Sequence, residues 1–125
     1  MFDRLSAYAP QALAVLRIVA GLLFLLHGTQ KVIGFPATEM SPPLMSLFGI
    51  GGLIEIVTGL MIIFGFFTRP AAFIASGQMA VAYWMVHAPG NLFPSNNGGD
   101  AAILFCFVFL YLVFAGPGAW SVNKK

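Results

Sequence analysis

The sequence predicts an all-α fold, a bundle of four transmembrane helices with both termini in the cytoplasm. Of the 125 residues, 59% are hydrophobic and only 8% are charged. The apolar residues form stretches near the roughly 20 residues that cross a bilayer core of about 30 Å. Four spans of that length leave no room for a separate soluble domain. We therefore expect one membrane-embedded domain over residues 1–125, with spans at residues 11–32, 44–67, 70–87 and 100–115.

The first span follows a short polar lead that ends at Pro10, an arrangement also found in secretory signals. Arg17 interrupts its apolar stretch, and HGTQK at 27–31 follows in place of a cleavage site made of small residues. We expect a retained helix. The Arg17 side chain then either extends to the nearer headgroups or has a partner within the bundle. At the far end of this span, His27 and Lys31 are four residues apart and share one helix face.

The second span carries a carboxylate, Glu55, near the middle of an apolar stretch at 47–67. A charged side chain at the centre of a membrane helix costs roughly 2.5–3.5 kcal/mol, so we expect this acid to be neutral, paired or facing a wet cavity. Gly51 and Gly59 lie one turn before and after it, and this spacing of small residues lets another helix approach closely. A functional site around Glu55 is the first interpretation, and a packing seam that contains an acid is the alternative.

The third and fourth spans add polar residues near their ends. Gln78 lies at mid-depth in the third span, and His87 ends it. The loop at 88–99 is rich in glycine, proline and asparagine, which form turns, and it contains Asn97. Asp100 begins the fourth span, either as the N-cap of that helix or as a residue that faces the site.

The basic residues predict the orientation in the membrane. In a four-span arrangement, one side carries four of them, namely Arg4, Arg69, Lys124 and Lys125. The other side has Lys31 alone, offset by Glu39 and Asp100. Basic residues accumulate in cytoplasmic segments, so the first side, with both termini, is expected in the cytoplasm.

The ionisable groups are expected to meet in the outward half of the bundle. At about 1.5 Å per residue, Glu55 lies roughly 12 Å and His27 roughly 8 Å below the outward ends of their helices. These two residues are the catalytic candidates, because an imidazole beside a buried acid is suited to taking up and passing protons. The candidate ligand-binding residues are Arg17, Lys31, Gln78, His87, Asn97 and Asp100.

A quinone is the candidate ligand, because reduction and oxidation of its ring oxygens are coupled to proton transfer. The cofactor is otherwise unassigned. Haem held by His27 and His87 is disfavoured because both histidines lie at helix ends. A metal site is disfavoured because no dense ligand motif is present. Cys106 is the single cysteine, which excludes an intrachain disulfide. The basic residues form no patch, so nucleic acid is not an expected partner.

Five features together resemble the DoxX family of small four-helix membrane proteins. They are a third helix that ends in a histidine and the segments LRIVAGLLFLLHGTQKVIGF at 16–35, GGLIEIVTGLMIIFGFFTRPAA at 51–72, NGGDAAIL at 97–104 and GPGAWSV at 116–122. The resemblance covers nearly the whole chain in order. Members of the family more often carry Glu at the position of Asp100, a change that keeps the charge and lengthens the reach.

The resemblance implies a multi-pass protein of the cytoplasmic membrane, in a family named from a subunit of a thiosulfate:quinone oxidoreductase. Thiosulfate chemistry is not carried over, because no thiosulfate-reactive cysteine is evident. The family pattern marks these positions of the chain: Arg17, His27, Gly28, Lys31, Glu55, Gly59, Arg69, His87, Asn97, Gly98, Gly99 and Asp100.

The first functional hypothesis is a redox-associated membrane subunit whose pocket around Glu55 binds a quinone or a similar amphipathic molecule. Any enzymatic activity would be that of a quinone-linked oxidoreductase component. One alternative is a scaffold or partner protein without enzymatic activity, in which the polar groups fix helix register. A less favoured alternative is an oligomeric transporter of a small solute or protons. The expected partners are the lipid bilayer, membrane or peripheral redox proteins, and further copies of the chain.

Overall fold

The computed structural model describes residues 2–35 and 47–125, and these residues are helical or in turns and connecting segments. The chain begins with a 3-10 turn, and α3 is continued by a π-helical turn and a further 3-10 turn. The elements are the 3-10 turn Phe2–Tyr8, α1 Ala9–Ile33, α2 Leu47–Phe64, α3 Thr68–Ala82, the π turn Tyr83–His87, the 3-10 turn Ala88–Gly90, α4 Pro94–Asn97 and α5 Asp100–Ala115. The predicted all-α class is confirmed.

The helices differ in their capacity to cross a membrane. Among the described residues, one helical stretch, Phe2–Ile33, is both long and apolar enough by itself. Gly49–Phe64 and Asp100–Ala115 are shorter apolar helices. Four crossings and cytoplasmic termini therefore stay predictions. Most of the predicted loop at 34–43 and the start of the predicted span at 44–67 lie outside the described residues.

The four long helices pack as two pairs. α1 packs mainly on α2, α3 packs mainly on α5, and contact between α2 and α3 joins the pairs. Ala71, Ala72 and Ala75 are fully buried on α3, and such small side chains let two helix backbones approach closely. At the centre, Phe24 of α1 packs edge-on against Phe109 of α5, with ring centroids 4.9 Å apart.

The C-terminal segment at 116–125 folds back against the bundle and is held by Arg17. This arginine is fully buried and donates hydrogen bonds to the carbonyl oxygens of Pro117, Ala119 and Trp120. Of the two predicted alternatives, a partner within the bundle is correct. Extension to the headgroups is wrong, because the guanidinium is enclosed by backbone oxygens. The backbone N–H of Ala119 also donates to the carbonyl of Pro10, which brings both termini to one end.

Gly65 makes the turn that admits this segment. Its φ of 71° lies in the left-handed region, which favours glycine. A Cβ at this position would collide with Ser121. The Val122 N–H donates to the Phe64 carbonyl at 3.0 Å, and the Asn123 N–H donates to the Gly65 carbonyl at 3.2 Å. The C-terminal segment is therefore an integral part of this end of the bundle.

Candidate functional site

Glu55 of α2 and Lys31 of α1 form an ion pair at the other end of the bundle. The Lys31 Nζ lies 2.8 Å from Glu55 Oε1. The carboxylate side chain is 1% exposed, and the lysine side chain is 29% exposed. Among the three states expected for the acid, the structure shows the paired one. The pair has no net charge, and its attraction is stronger here than in water because the surroundings are apolar.

A seam of glycines allows α1 and α2 to approach closely enough for this pair. A Cβ on Gly28 would lie 2.8 Å from the Gly52 carbonyl oxygen and 2.9 Å from the Glu55 Cβ. Gly59 faces the backbone of Leu25, one turn further along the same interface. Gly51, predicted to share this packing face, instead faces Gln78 of α3. The two glycines that flank the acid therefore serve different neighbours.

Glu55 and Lys31 line a cavity of about 440 Å³, a volume in the range of small-molecule sites. Five of the eight predicted site residues line it: His27, Lys31, Glu55, Gln78 and His87. Its apolar lining comes from α2, α3, the π turn and α5, and includes Ile50, Ile54, Met79, Val81, Met85, Val86 and Phe105. The cavity thus combines a small polar group with a large apolar wall.

Gln78 connects α3 to α2 beside the ion pair. Its Nε2 donates a hydrogen bond to the Gly51 carbonyl oxygen, with a length of 3.0 Å. Gly51 lies one turn before Glu55 on α2, so the amide of α3 meets α2 one helical turn from the carboxylate. Gln78 was predicted from its mid-depth position alone, and the structure places it in the cavity wall with the acid.

His27 lines the same cavity, one helical turn before Lys31. Its ring packs edge-on against Phe105 of α5, with centroids 5.7 Å apart and an interplanar angle of 84°. Within the described residues, the structure records no hydrogen bond to this imidazole. The described ranges also contain no group of three or more His, Cys, Asp or Glu side chains arranged to hold a metal ion.

Asn97 organises the loop above His87. Its side-chain nitrogen donates to the Tyr83 hydroxyl at 3.1 Å and to the Asn91 carbonyl at 3.0 Å. Its side-chain oxygen accepts from the Gly99 N–H at 2.8 Å. The Asn97 carbonyl oxygen lies 3.2 Å from the His87 Nδ1. Asn97 does not line the cavity, so its contribution is to hold the loop and the imidazole beside it.

The structure separates two predicted residues from the others. Arg17 lies at the opposite end of the bundle and holds the C-terminal segment. Asp100 is exposed and is absent from the cavity lining. Its alternative interpretation as an N-cap is also wrong, because Gly99 occupies the N-cap position of α5 and Asp100 lies in the first turn. Its carboxylate there complements the positive end of the helix dipole.

Sequence reasoning missed the apolar residues that shape the site. Met79 and Phe105 line the cavity from two different helices, and apolar periodicity cannot distinguish such residues from ordinary core. Gly28 and Gly52 were missed as a packing pair, although the HG at 27–28 and the GG at 51–52 were visible in the sequence. Small residues on two helices can be recognised as a packing contact only when it is known that those two helices pack together.

Comparisons with known proteins find one family and several relatives that are similar in sequence to this chain. The sequence model of the DoxX family matches residues 12–88. An uncharacterized protein of Haemophilus influenzae is 42% identical over 98% of this chain and 96% of its own length. The inner membrane protein YphA of Escherichia coli is 28% identical over 96% of this chain and 94% of its own length. The inner membrane protein YqjF of Escherichia coli is 29% identical over 88% of each chain. No solved structure matches the chain.

The matched segment runs from the first turn of α1 to the residue after the π turn. It contains the ion pair, Gln78 and both histidines. Because the family model covers more than half of the residues and the relatives align over nearly their full lengths, the chain belongs to the DoxX family.

Proposed function

We propose that this protein is a multi-pass protein of the cytoplasmic membrane whose cavity binds an amphipathic small molecule of the quinone class, as a redox-associated subunit. The observation that carries the proposal is the Lys31–Glu55 pair, with its carboxylate buried, in the wall of a largely apolar cavity of about 440 Å³. An ionisable group inside an apolar helical bundle is costly and indicates a functional site.

The membrane location is supported by the relatives and by the helix lengths. Two relatives are named inner membrane proteins. α2 has 18 residues, which corresponds to about 27 Å of helix. A helix slightly shorter than the bilayer core is accommodated by local thinning at a small cost. Four crossings with both termini in the cytoplasm agree with the contact between Pro10 and Ala119 at one end.

The ligand class follows from the two parts of the cavity. The polar part consists of an ion pair without net charge, two amides and two imidazoles, from Gln30, Gln78, His27 and His87. Such a set suits a neutral headgroup that forms hydrogen bonds. The apolar part includes Ile54, Val81 and Met85, which are 36%, 56% and 56% exposed and therefore extend the wall to the surface of the bundle. In a bilayer this surface faces acyl chains, so a ligand dissolved in the membrane would reach the cavity from the side.

Glu55 and His27 are the groups that would exchange protons with the ligand. Reduction of a quinone to a quinol takes two electrons and two protons. This chain would bind the ring and supply or accept the protons, and a partner redox protein would supply or accept the electrons. Lys31, Gln78 and His87 would position the headgroup.

The binding test uses the purified protein in lipid nanodiscs and a benzoquinone with a decyl tail, offered separately in its oxidised and reduced forms. Saturable binding of at least one form is expected. Ala82 lines the cavity, so Ala82→Phe is expected to weaken binding at least tenfold by filling it. Ala12→Phe is the matched control, because Ala12 is exposed on α1 away from the site. Glu55→Gln is expected to abolish saturable binding while the protein stays folded.

Thermal unfolding of each variant separates loss of the site from loss of the fold. Binding that is not saturable in either form, or that Ala82→Phe leaves unchanged in a folded protein, would contradict the proposal. Loss of stability in Glu55→Gln without any ligand binding in the wild type would favour the scaffold, in which the acid only fixes helix register.

A further inference from the structure

Two buried oxygens next to the cavity have no hydrogen-bond partner among the described residues. They are Oε2 of Glu55 and Oε1 of Gln78. Both side chains line the cavity. Nearly all buried polar atoms in folded proteins have a partner, either a protein group or ordered water, so these two acceptors on adjacent cavity walls call for a donor that the described residues do not supply. Both atoms are acceptors, which fixes the kind of partner that satisfies them.

The orientation of each group is set by the bond that its other atom makes. Glu55 Oε1 accepts from the Lys31 ammonium at 2.8 Å, which leaves Oε2 as the unpartnered oxygen. Gln78 Nε2 donates to the Gly51 carbonyl at 3.0 Å. Exchanging the amide nitrogen and oxygen would place two acceptors against each other at that contact, so the Gln78 oxygen must be the free end.

The neighbouring hydroxyl groups of the described residues either donate to backbone carbonyls or lie outside the cavity lining. Thr58 donates to the Ile54 carbonyl at 2.7 Å. Ser76 donates to the Cys106 carbonyl at 2.7 Å. The Tyr83 hydroxyl accepts a hydrogen bond from the Asn97 amide, and Tyr83 is not among the residues that line the cavity. The hydrogens that the two free oxygens need are therefore not supplied by these hydroxyls.

From these contacts we infer that the cavity recognises a ligand through hydroxyl groups that donate to Glu55 Oε2 and Gln78 Oε1. The ligand is a neutral amphiphile of the phenol or hydroquinone class. A cationic amine would also donate, but the Glu55 charge is already balanced by Lys31, so a neutral hydroxyl fits better. This inference rests on the proposed function and deepens it, since it assigns the hydroxyl form, and not the carbonyl form, as the preferred occupant.

Selectivity arises because a carbonyl or ether oxygen cannot donate. Such a headgroup would leave both protein acceptors buried and unpaired, and a site built to accept hydrogen bonds discriminates strongly against an analogue that lacks the donor. An apolar tail contributes equally to both forms, so the difference in affinity reports the headgroup alone.

The test compares 4-nonylphenol with 4-nonylanisole, its methyl ether, by equilibrium binding to the protein in nanodiscs. The phenol is expected to bind at least about tenfold more tightly, the ratio that corresponds to one hydrogen bond. Gln78→Leu is expected to reduce this ratio. Gln11→Leu is the matched control and is expected to keep it, because Gln11 is exposed at the start of α1. The decyl-tailed quinol is likewise expected to bind more tightly than its quinone under anaerobic conditions.

Equal binding of the phenol and the anisole, or tighter binding of the anisole, would overturn the inference about hydroxyl recognition. The proposal that the cavity binds an amphipathic ligand would still stand. If none of the four compounds (the phenol, the anisole, the quinol and the quinone) binds saturably, the proposed function itself is contradicted. The comparison of compounds on the wild-type protein needs no variant, so a Gln78→Leu protein that fails to fold does not affect the decision.

Discussion

At the scale of single residues, Arg17 shows how a buried cation can serve the fold. Its guanidinium donates to carbonyls of the C-terminal segment and, at 3.4 Å, to the Ile63 carbonyl of α2. The planar group with five donors can serve several oxygens at once, which a lysine ammonium cannot do in the same geometry. The arginine therefore connects α1, α2 and the C-terminal segment.

Replacing Arg17 by methionine is expected to lower the free energy of unfolding by about 2–4 kcal/mol, because several buried carbonyls lose their donors. Unfolding by increasing SDS in mixed micelles measures the change, and the tail should become more accessible to protease. Arg17→Lys is expected to recover only part of the loss. Arg4→Met is the control, since Arg4 is exposed. Equal stability of the Arg17→Met and Arg4→Met proteins would refute this structural role.

The residue scale also shows what the sequence could not supply. Glu55 and Lys31 were predicted because charges are rare in apolar spans and expensive there. The same reasoning placed Arg17 with them, although the structure puts it at the opposite end. Sequence position gives the depth of a residue along its helix, but the C-terminal carbonyls that hold Arg17 come from residues 100 or more positions away. No local pattern encodes that contact.

At the scale of helices, the contact between α1 and α2 depends on glycine. Gly28→Ala is expected to destabilise the protein by about 1–3 kcal/mol, because the new Cβ would meet the Gly52 carbonyl, the Glu55 Cβ and the Ile56 N–H within 2.9 Å. The seam holds Lys31 against Glu55, so ligand binding should weaken as well. Thermal unfolding in nanodiscs measures the first effect, and binding of the decyl-tailed quinol measures the second.

Gly77→Ala is the matched control for this prediction. Gly77 lies inside α3, and among the described residues no neighbouring side chain or helix comes within 4 Å of the place that its Cβ would occupy. Alanine there should be neutral or stabilising by up to about 1 kcal/mol, because glycine is a poor helix former. If both substitutions had the same effect, close helix approach would not explain the role of Gly28.

The composition of the sequence predicted which segments are helical better than it predicted how the helices end and connect. The helices α1, α3 and α5 begin within about two residues of the apolar stretches that predict them, because composition marks which residues avoid water. The π turn at Tyr83–His87 and the short α4 at Pro94–Asn97 were not predicted. The Asn97 side chain, at the end of α4, forms hydrogen bonds with Tyr83 of the π turn and with Gly99. A turn-rich composition indicates a loop but does not specify its hydrogen bonds.

At the scale of the whole molecule, the charged groups are divided between two ends with different tasks. One end holds both chain termini and the Arg17 network. The other end holds the Lys31–Glu55 pair, the cavity and the loop that contains Asn97. The fold thus places the candidate site far from the segment that closes the bundle. This separation predicts that variants of Arg17 affect stability more than ligand selectivity, whereas variants of Gln78 do the reverse.

The same division predicts which end faces which side of the membrane. The end with the termini carries Arg4, Lys124 and Lys125, so it is expected in the cytoplasm, and the cavity end is expected to face outward. Single cysteines in a Cys106→Ala background test this. Ser95→Cys, exposed in α4, should react with a membrane-impermeant maleimide in intact spheroplasts, and Lys125→Cys should react only after the membrane is disrupted. Reaction of both positions in intact spheroplasts would place the two ends on the same side and contradict an end-to-end crossing. The reverse pattern would keep the crossing but invert the protein, so that the cavity would open toward the cytoplasmic leaflet.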